Sequence, residues 1–225
     1  DGTSRIISRE LADIIQTQIV DDVRFLHDTA WTRRPVWDRS YVEARTPNVP
    51  SILLEMFAHQ NYRDMKYGLD PEFQFTISRA IYKGILKYTA HIKNKDYVVQ
   101  PLPVKNFCTD IHFGSKTVAR LQWDENIDPL EPTAIADNYI VYTQIIDPKS
   151  NTPSDFDKGI IVSRNKFELA IESDKIYNFK VCAINKGGIS FPSETLSVGY
   201  TGGRTNNTAL IVNNFTRTSS PTYFE

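Results

Sequence analysis

The chain has 225 residues, room for one large or two ordinary domains, with 40% hydrophobic and 24% charged residues and a formal net charge of -1. Lys and Arg are balanced by Asp and Glu and no basic run stands out, which argues against a nucleic-acid partner. No apolar stretch approaches the roughly 20 residues of a membrane-spanning helix. No charged-then-apolar leader opens the sequence, which starts Asp1-Gly2-Thr3 without Met, as a piece cut from a longer protein would.

In chain order, Ile7, Leu11, Ile14 and Ile15 recur at helical spacing and continue through Ile19, Val23 and Leu26. With charged residues between them and Ser4 as N-cap, they predict an amphipathic helix over about residues 4–26. Next comes Val49-Pro-Ser-Ile-Leu-Leu-Glu55, whose continuous Ile52-Leu53-Leu54 run is the pattern of a strand buried on both faces of a sheet. Asp70-Pro71-Glu72 then supplies an N-cap, a first-turn proline and an acidic first turn. Phe73, Ile77, Ile81, Ile85 and Tyr88 follow as the apolar stripe of a second helix. Helix, strand, helix is the order of part of an α/β layer domain.

Glu55 is the chemically odd residue of this region. Directly after the apolar run, it should emerge at the carboxyl edge of the strand, where open α/β sheets bind ligands. A partly desolvated carboxylate there would have a raised pKa and serve as general acid or base. A glutamate that merely ends a strand and faces solvent or an arginine fits the same pattern.

Three stretches carry a resemblance. These are Thr46-Pro-Asn-Val-Pro-Ser-Ile-Leu-Leu-Glu55 followed by Asn61 and Asp64, then Leu69-Asp-Pro-Glu-Phe73, and then Ala80-Ile-Tyr-Lys-Gly84-Ile-Leu-Lys-Tyr88. Together with the Ser8–Ala12 helix, they resemble the C-terminal half of the zinc-dependent N-acetylmuramoyl-L-alanine amidases, over most of residues 4–90. The resemblance implies that Glu55 is the catalytic acid/base and that Asn61 and Asp64 shape the substrate-binding loop beside it. It departs from the family pattern after the glutamate, where Met56-Phe57-Ala58 stands in place of a small Gly and then Phe. His59 and Gln60 likewise take positions that are commonly apolar and Ser.

The resemblance also implies zinc, held in the family by two His and a Glu from the first half of the domain. Hydrolytic zinc needs three protein ligands and an open position. His27, His59, His91 and His112 are scattered without ligand spacing. His59, four residues from Glu55, could share a metal with it, but a hydrogen-bonded surface histidine has the same spacing. Zinc is therefore expected in the full-length protein, with ligands upstream of this chain, and none is expected on the chain itself.

After a polar linker, Lys93-Asn-Lys-Asp96, and the stiff Gln100-Pro-Leu-Pro103, short alternating runs recur with turn signals between them. They are 118–123, 138–142, 159–162, 166–169, 177–183 and 195–198, the pattern of an all-β sandwich of two antiparallel sheets. Trp123, Tyr139-Ile-Val-Tyr142, the Leu169 and Tyr177 pair and Val181-x-Ala183-x-Asn185-x-x-Gly188-x-Ser190-x-Pro192-Ser193 resemble fibronectin type III domains. That likeness implies that Trp123 fills the core and that Tyr177 returns its hydroxyl to nearby backbone. The 124–137 loop, long for such a module, either contacts a neighbouring domain or is a solvent-exposed insertion.

Cys108 and Cys182 would fall on the first and sixth strands, which are not usual neighbours, so two free thiols are expected rather than a disulfide. The expected division is an amidase-like segment over 1–94, a linker over 95–102, the sandwich over 103–200, and a linker with the start of a further domain over 201–225. Ala209–Phe215 would be that further domain's first strand, or a terminal strand pairing with the sandwich.

The leading functional expectation is a piece of a secreted, periplasmic or cell-surface bacterial hydrolase. Its partners would be peptidoglycan or another polysaccharide and neighbouring domains of the same protein, with no nucleic acid and no membrane span. The alternative is a non-catalytic glycan-binding or scaffold module. A further likeness is to Bacteroides-type multidomain proteins of the xanthan lyase-like kind. A lyase needs a Tyr/His or Lys base beside a uronic acid, and the sequence holds no such grouping.

Overall fold

The structure is a computed structural model that describes residues 2–150 and 154–203. The expected strand at 209–215 lies outside the described residues. The chain divides into two compact units between Tyr97 and Val98.

The first unit is helical: α1 (Gly2–Leu26), α2 (Val42–Arg45), α3 (Tyr62–Gly68) and α4 (Pro71–Lys93). Helix α1 begins at Gly2, two residues before the expected N-cap position. The start of α4 is as its sequence signals require. The Asp70 side chain accepts from the Glu72 amide at 3.0 Å, and Pro71 occupies the first turn. It ends on Asn94, left-handed at φ 47°, whose amide donates to the carbonyls of Ala90 and His91.

The long helices pair through one apolar core. Leu11, Ile15, Ile19 and Val23 of α1 meet Phe73, Ile77, Ala80 and Tyr88 of α4. Rings gather on Phe73, with the centroids of Tyr67, Trp31 and Phe57 at 5.0, 5.6 and 5.7 Å. Ile85, expected on the buried stripe, is 48% exposed, while Lys83 and Gly84 are buried. Each four-residue step overshoots a full turn by about 40°, so a stripe stepped only in fours drifts off the helix face.

Gly84 lets the helices approach closely. A Cβ there would stand 2.9 Å from both Cα and Cγ1 of Ile15. A Gly84→Leu substitution is therefore expected to lower the stability of the first unit by about 2–3 kcal/mol, measured by urea denaturation of the whole chain. A loss below about 0.5 kcal/mol would show that the helices can part without cost.

The expected strand at 49–55 has no regular secondary structure and belongs to no sheet among the described residues. A strand is defined by a neighbour that takes its N–H and C=O groups, and none of the described residues forms a ladder with this segment. Ile52, Met56 and Phe57 pack against the helix pair, while Leu53 and Leu54 remain 45% and 37% exposed.

The second unit is all antiparallel β: β1 (Lys105–His112), β2 (Val118–Asp124), β3 (Asn138–Ile146), β4 (Ile160–Val162), β5 (Lys166–Ala170), β6 (Ile176–Asn185), β7 (Gly188–Ile189) and β8 (Leu196–Gly199). One sheet runs β1-β2-β5 and the other β4-β3-β6-β7, with β8 also on β6. The chain leaves β2 for the opposite sheet and returns as β5 beside it, the crossover of a Greek-key sandwich. Inward residues of both sheets form one core, including Leu121, Trp123, Tyr139, Val141, Tyr177, Phe179 and Val181. The Tyr177 hydroxyl accepts from the Glu172 amide at 3.0 Å, the corner expected from the sequence.

The 124–137 loop folds back on its own module. The Asn185 amide nitrogen donates to the carbonyls of Val99, Thr133 and Ile135 at 2.9, 3.1 and 3.1 Å. Glu131 within the loop is buried and accepts from the Thr133 hydroxyl at 3.2 Å.

Cys108 on β1 is exposed and Cys182 on β6 is buried in the other sheet, and both are free. Burial pushes the Cys182 thiol up, partly offset by the positive charge of Lys180. Since the thiolate is the reactive form, a thiol reagent at pH 8 should label one cysteine of the native chain rapidly and the second only after denaturation. Equal labelling of both in the native state would contradict this packing.

Candidate functional site

The candidate site is the segment that carries Glu55 and the loop after it. The Ser51 amide donates to the Ser8 hydroxyl of α1 at 3.3 Å, tying the start of the segment to the helix pair. Ile52 on one side of Glu55 and Met56 and Phe57 on the other anchor into the helical core. Glu55 itself is exposed, not partly desolvated as its place after an apolar run suggests. Desolvation at a strand edge comes from flanking strands, and among the described residues there are none.

Asn61 and Asp64 order the chain that follows. The Ala58 amide donates to Asp64 Oδ2 at 3.0 Å, and the Asn61 amide donates to the Ala58 carbonyl at 2.8 Å. Asn61 also caps α3, its Oδ1 accepting from the Arg63 amide at 3.0 Å. The Asp64 side chain thus spends an oxygen on the turn after Glu55, and the Asn61 side chain spends one on the start of α3. The Asn-x-x-Asp spacing at the head of α3 is an N-terminal helix signal that the sequence offers directly.

The histidines are dispersed. His27 Nε2 lies 2.9 Å from the Thr76 hydroxyl, and its ring packs on Phe73 at 4.9 Å. His91 Nε2 is 3.0 Å from Glu10 Oε1. His112 belongs to β1 of the sandwich, and His59 is exposed in the turn after Glu55. Among the described residues no three His, Cys, Asp or Glu side chains are grouped so as to hold a metal ion. A hydrolytic zinc, which needs three such ligands, does not fit the residues present.

Sequence reading missed a buried polar chain between the long helices. Lys83 Nζ is 2.7 Å from Asp22 Oδ2, and the two side chains are only 1% and 4% exposed. Gln18 Nε2 donates to Asp22 Oδ1 at 2.7 Å, and Lys87 Nζ donates to Gln18 Oε1 at 2.6 Å. The signal was available: Lys83 lies three residues after Ala80 and next to Gly84, on the stripe that faces α1.

Residues 2–87 match the family model of N-acetylmuramoyl-L-alanine amidase. No curated protein matches the chain. Among solved structures, the chain is similar to the FN5 domain of Drosophila Lar at 15% identity. That match covers 46% of this chain and 99% of that one, with a TM-score of 0.34. It is also similar to the third fibronectin III domain of the human KIAA0343 protein at 15% identity, over 51% of this chain and 93% of that one, with a TM-score of 0.38. At these scores the second unit is assigned on its own strand order, core tryptophan and tyrosine corner. The chain thus joins a segment, residues 2–87, that matches the N-acetylmuramoyl-L-alanine amidase family model to a fibronectin type III-like sandwich.

Proposed function

We propose that in the full-length protein the first unit is part of the catalytic domain of a peptidoglycan amidase, with Glu55 as its acid/base. The observation that carries this reading is the family match over residues 2–87, which spans Glu55 and the turn built by Asn61 and Asp64. The bond cut is the amide between the lactyl group of muramic acid and L-alanine. Water adds to the amide carbonyl as its proton passes to the Glu55 carboxylate. The carbon–nitrogen bond then breaks as Glu55 returns that proton to the leaving nitrogen. The products are a free lactyl carboxylate on the glycan and a peptide with a free N-terminal L-alanine.

Asn61 and Asp64 act by fixing the backbone of the substrate-binding turn beside Glu55. The family typically depends on zinc, and in the full-length protein its ligands come from residues other than those described here. The sandwich serves as a spacer or docking module. A peptidoglycan substrate places the working protein outside the cytoplasm, and no helix among the described residues is long and apolar enough to cross a membrane.

Mass spectrometry of peptidoglycan treated with the full-length protein tests the reading. Release of intact stem peptides with a free N-terminal alanine is expected. Unchanged peptidoglycan, or cleavage at any other bond, would leave the protein a wall-binding or differently acting one.

A further inference from the structure

The sandwich has a polar cleft of about 520 Å³ where the end of β2, the start of β1 and the turn before β5 converge. Its shape comes from an irregularity in β1. The register against β2 shifts between Lys105 and Cys108, and Asn106 within that shift is left-handed at φ 53°. Such bulges open the ladder locally and re-aim side chains. A non-glycine residue held at positive φ outside a helix cap is a strained position that the surrounding structure must maintain. Asn106 is maintained by a 2.8 Å hydrogen bond from its amide nitrogen to Asp124 Oδ2.

The cleft collects positive charge. Arg164 and Lys166 line it, with Asp124 the single carboxylate among the lining residues. The cations elsewhere on the sandwich illustrate the contrast: Arg120 pairs with Glu168, Lys175 with Glu172, and Lys180 lies over the Phe156 ring at 4.1 Å. Arg164 and Lys166 form no ion pair among the described residues. Arg164 lies in the turn before β5 and Lys166 is the first residue of β5, in register with Gln122 of β2. Trp123 is among the lining residues and is 3% exposed, with its indole N–H buried and without an acceptor among the described residues. It serves as a reporter beside the cleft, and the donors open to a ligand are Arg164, Lys166 and Gln122. The cleft therefore presents hydrogen-bond donors and an excess cation in a volume suited to a small ligand.

We propose that this cleft binds a carboxylate of peptidoglycan, with Arg164 and Lys166 as the charged donors and Gln122 as a neutral one. That source of the carboxylate rests on the amidase reading; the cleft's preference for a carboxylate rests on its own residues. Two parts of the polymer carry the group. One is the lactyl carboxylate of glycan freed of its peptides, the other the carboxylates of the stem peptide. Binding the first would keep the protein on strands it has already cleared.

The test is titration of the 225-residue chain, followed through the Trp123 indole N–H resonance. Three probes are used: peptide-free glycan strands, the same strands with their carboxylates reduced to alcohols, and a free stem tetrapeptide. Peptide-free glycan is expected to shift that resonance, to bind more weakly as salt is added, and to lose affinity about tenfold or more in the Arg164→Gln/Lys166→Gln variant. Both residues are exposed, so the variant should otherwise keep the spectrum of the parent. Response to the tetrapeptide alone would support the carboxylate site and assign it to the peptide. Equal affinity for the reduced strands, equal affinity in the double variant, or no response to any carboxylate probe would overturn the proposal. Binding without cleavage by the full-length protein would sink the amidase reading alone, and cleavage without binding would sink the cleft alone.

Discussion

Replacing Lys83 by alanine is expected to destabilise the first unit by about 3–5 kcal/mol, the usual result of breaking a buried ion pair from one side. Gly84 brings the backbone of α4 onto Ile15 of α1, and the neighbouring Lys83 is carried inside with it. Its ammonium is tolerated there because Asp22 lies 2.7 Å away and is itself bonded to Gln18. Without Lys83 the Asp22 carboxylate loses its ion-pair partner and retains the Gln18 hydrogen bond, in a site closed to water. The price of an unpaired buried charge is far larger than that of the lost pair itself.

The double replacement Asp22→Leu with Lys83→Met separates the two effects. An apolar pair of similar volume leaves no orphan charge and only the Gln18 amide N–H without its acceptor, so stability should return to within about 1–2 kcal/mol of the parent. Urea denaturation followed by helical ellipticity measures both variants, with the sandwich contributing little helical signal of its own. A single Lys83→Ala variant within about 0.5 kcal/mol of the parent would mean that water reaches the pair.

Features fixed by neighbours in sequence were the legible ones. The start of α4 follows from Asp70-Pro71-Glu72 because an N-cap and a first-turn proline act within four residues. The strands of the sandwich follow from alternation, since each has one face in the core. Features fixed by remote groups were harder to read. The apolar run before Glu55 has the composition of a buried strand, yet a ladder requires a second strand that these residues do not provide. Lys83 reads as a surface cation until α1 is placed against α4 and Asp22 arrives opposite it.

The 124–137 loop shows the same division. Its length was evident, but Asn185, about 50 residues away, determines where it lies. In the candidate site, Glu55 and the Asn61 and Asp64 turn could be named from order and spacing. The exposure of Glu55 could not, because burial of a strand-end carboxylate depends on the elements beside it.

Substituting Glu55 by glutamine in the full-length protein should reduce turnover on peptidoglycan by about 10²–10⁴-fold, the contribution of a positioned acid/base. Glutamine keeps the length and the hydrogen-bonding shape of the side chain but cannot take a proton from water or return one to the leaving nitrogen. Glu55 is exposed and has no role in the helical core, so the melting temperature should hold while activity falls. Such a split separates a catalytic residue from a structural one.

That comparison, the rate of release of peptides with a free N-terminal L-alanine by the parent and by Glu55→Gln, tests the central claim most directly. Release by the parent and a loss of at least about a hundredfold in the variant is the expected result. Release at equal rates from both proteins would contradict the role of Glu55, and no release from the parent would contradict the amidase itself.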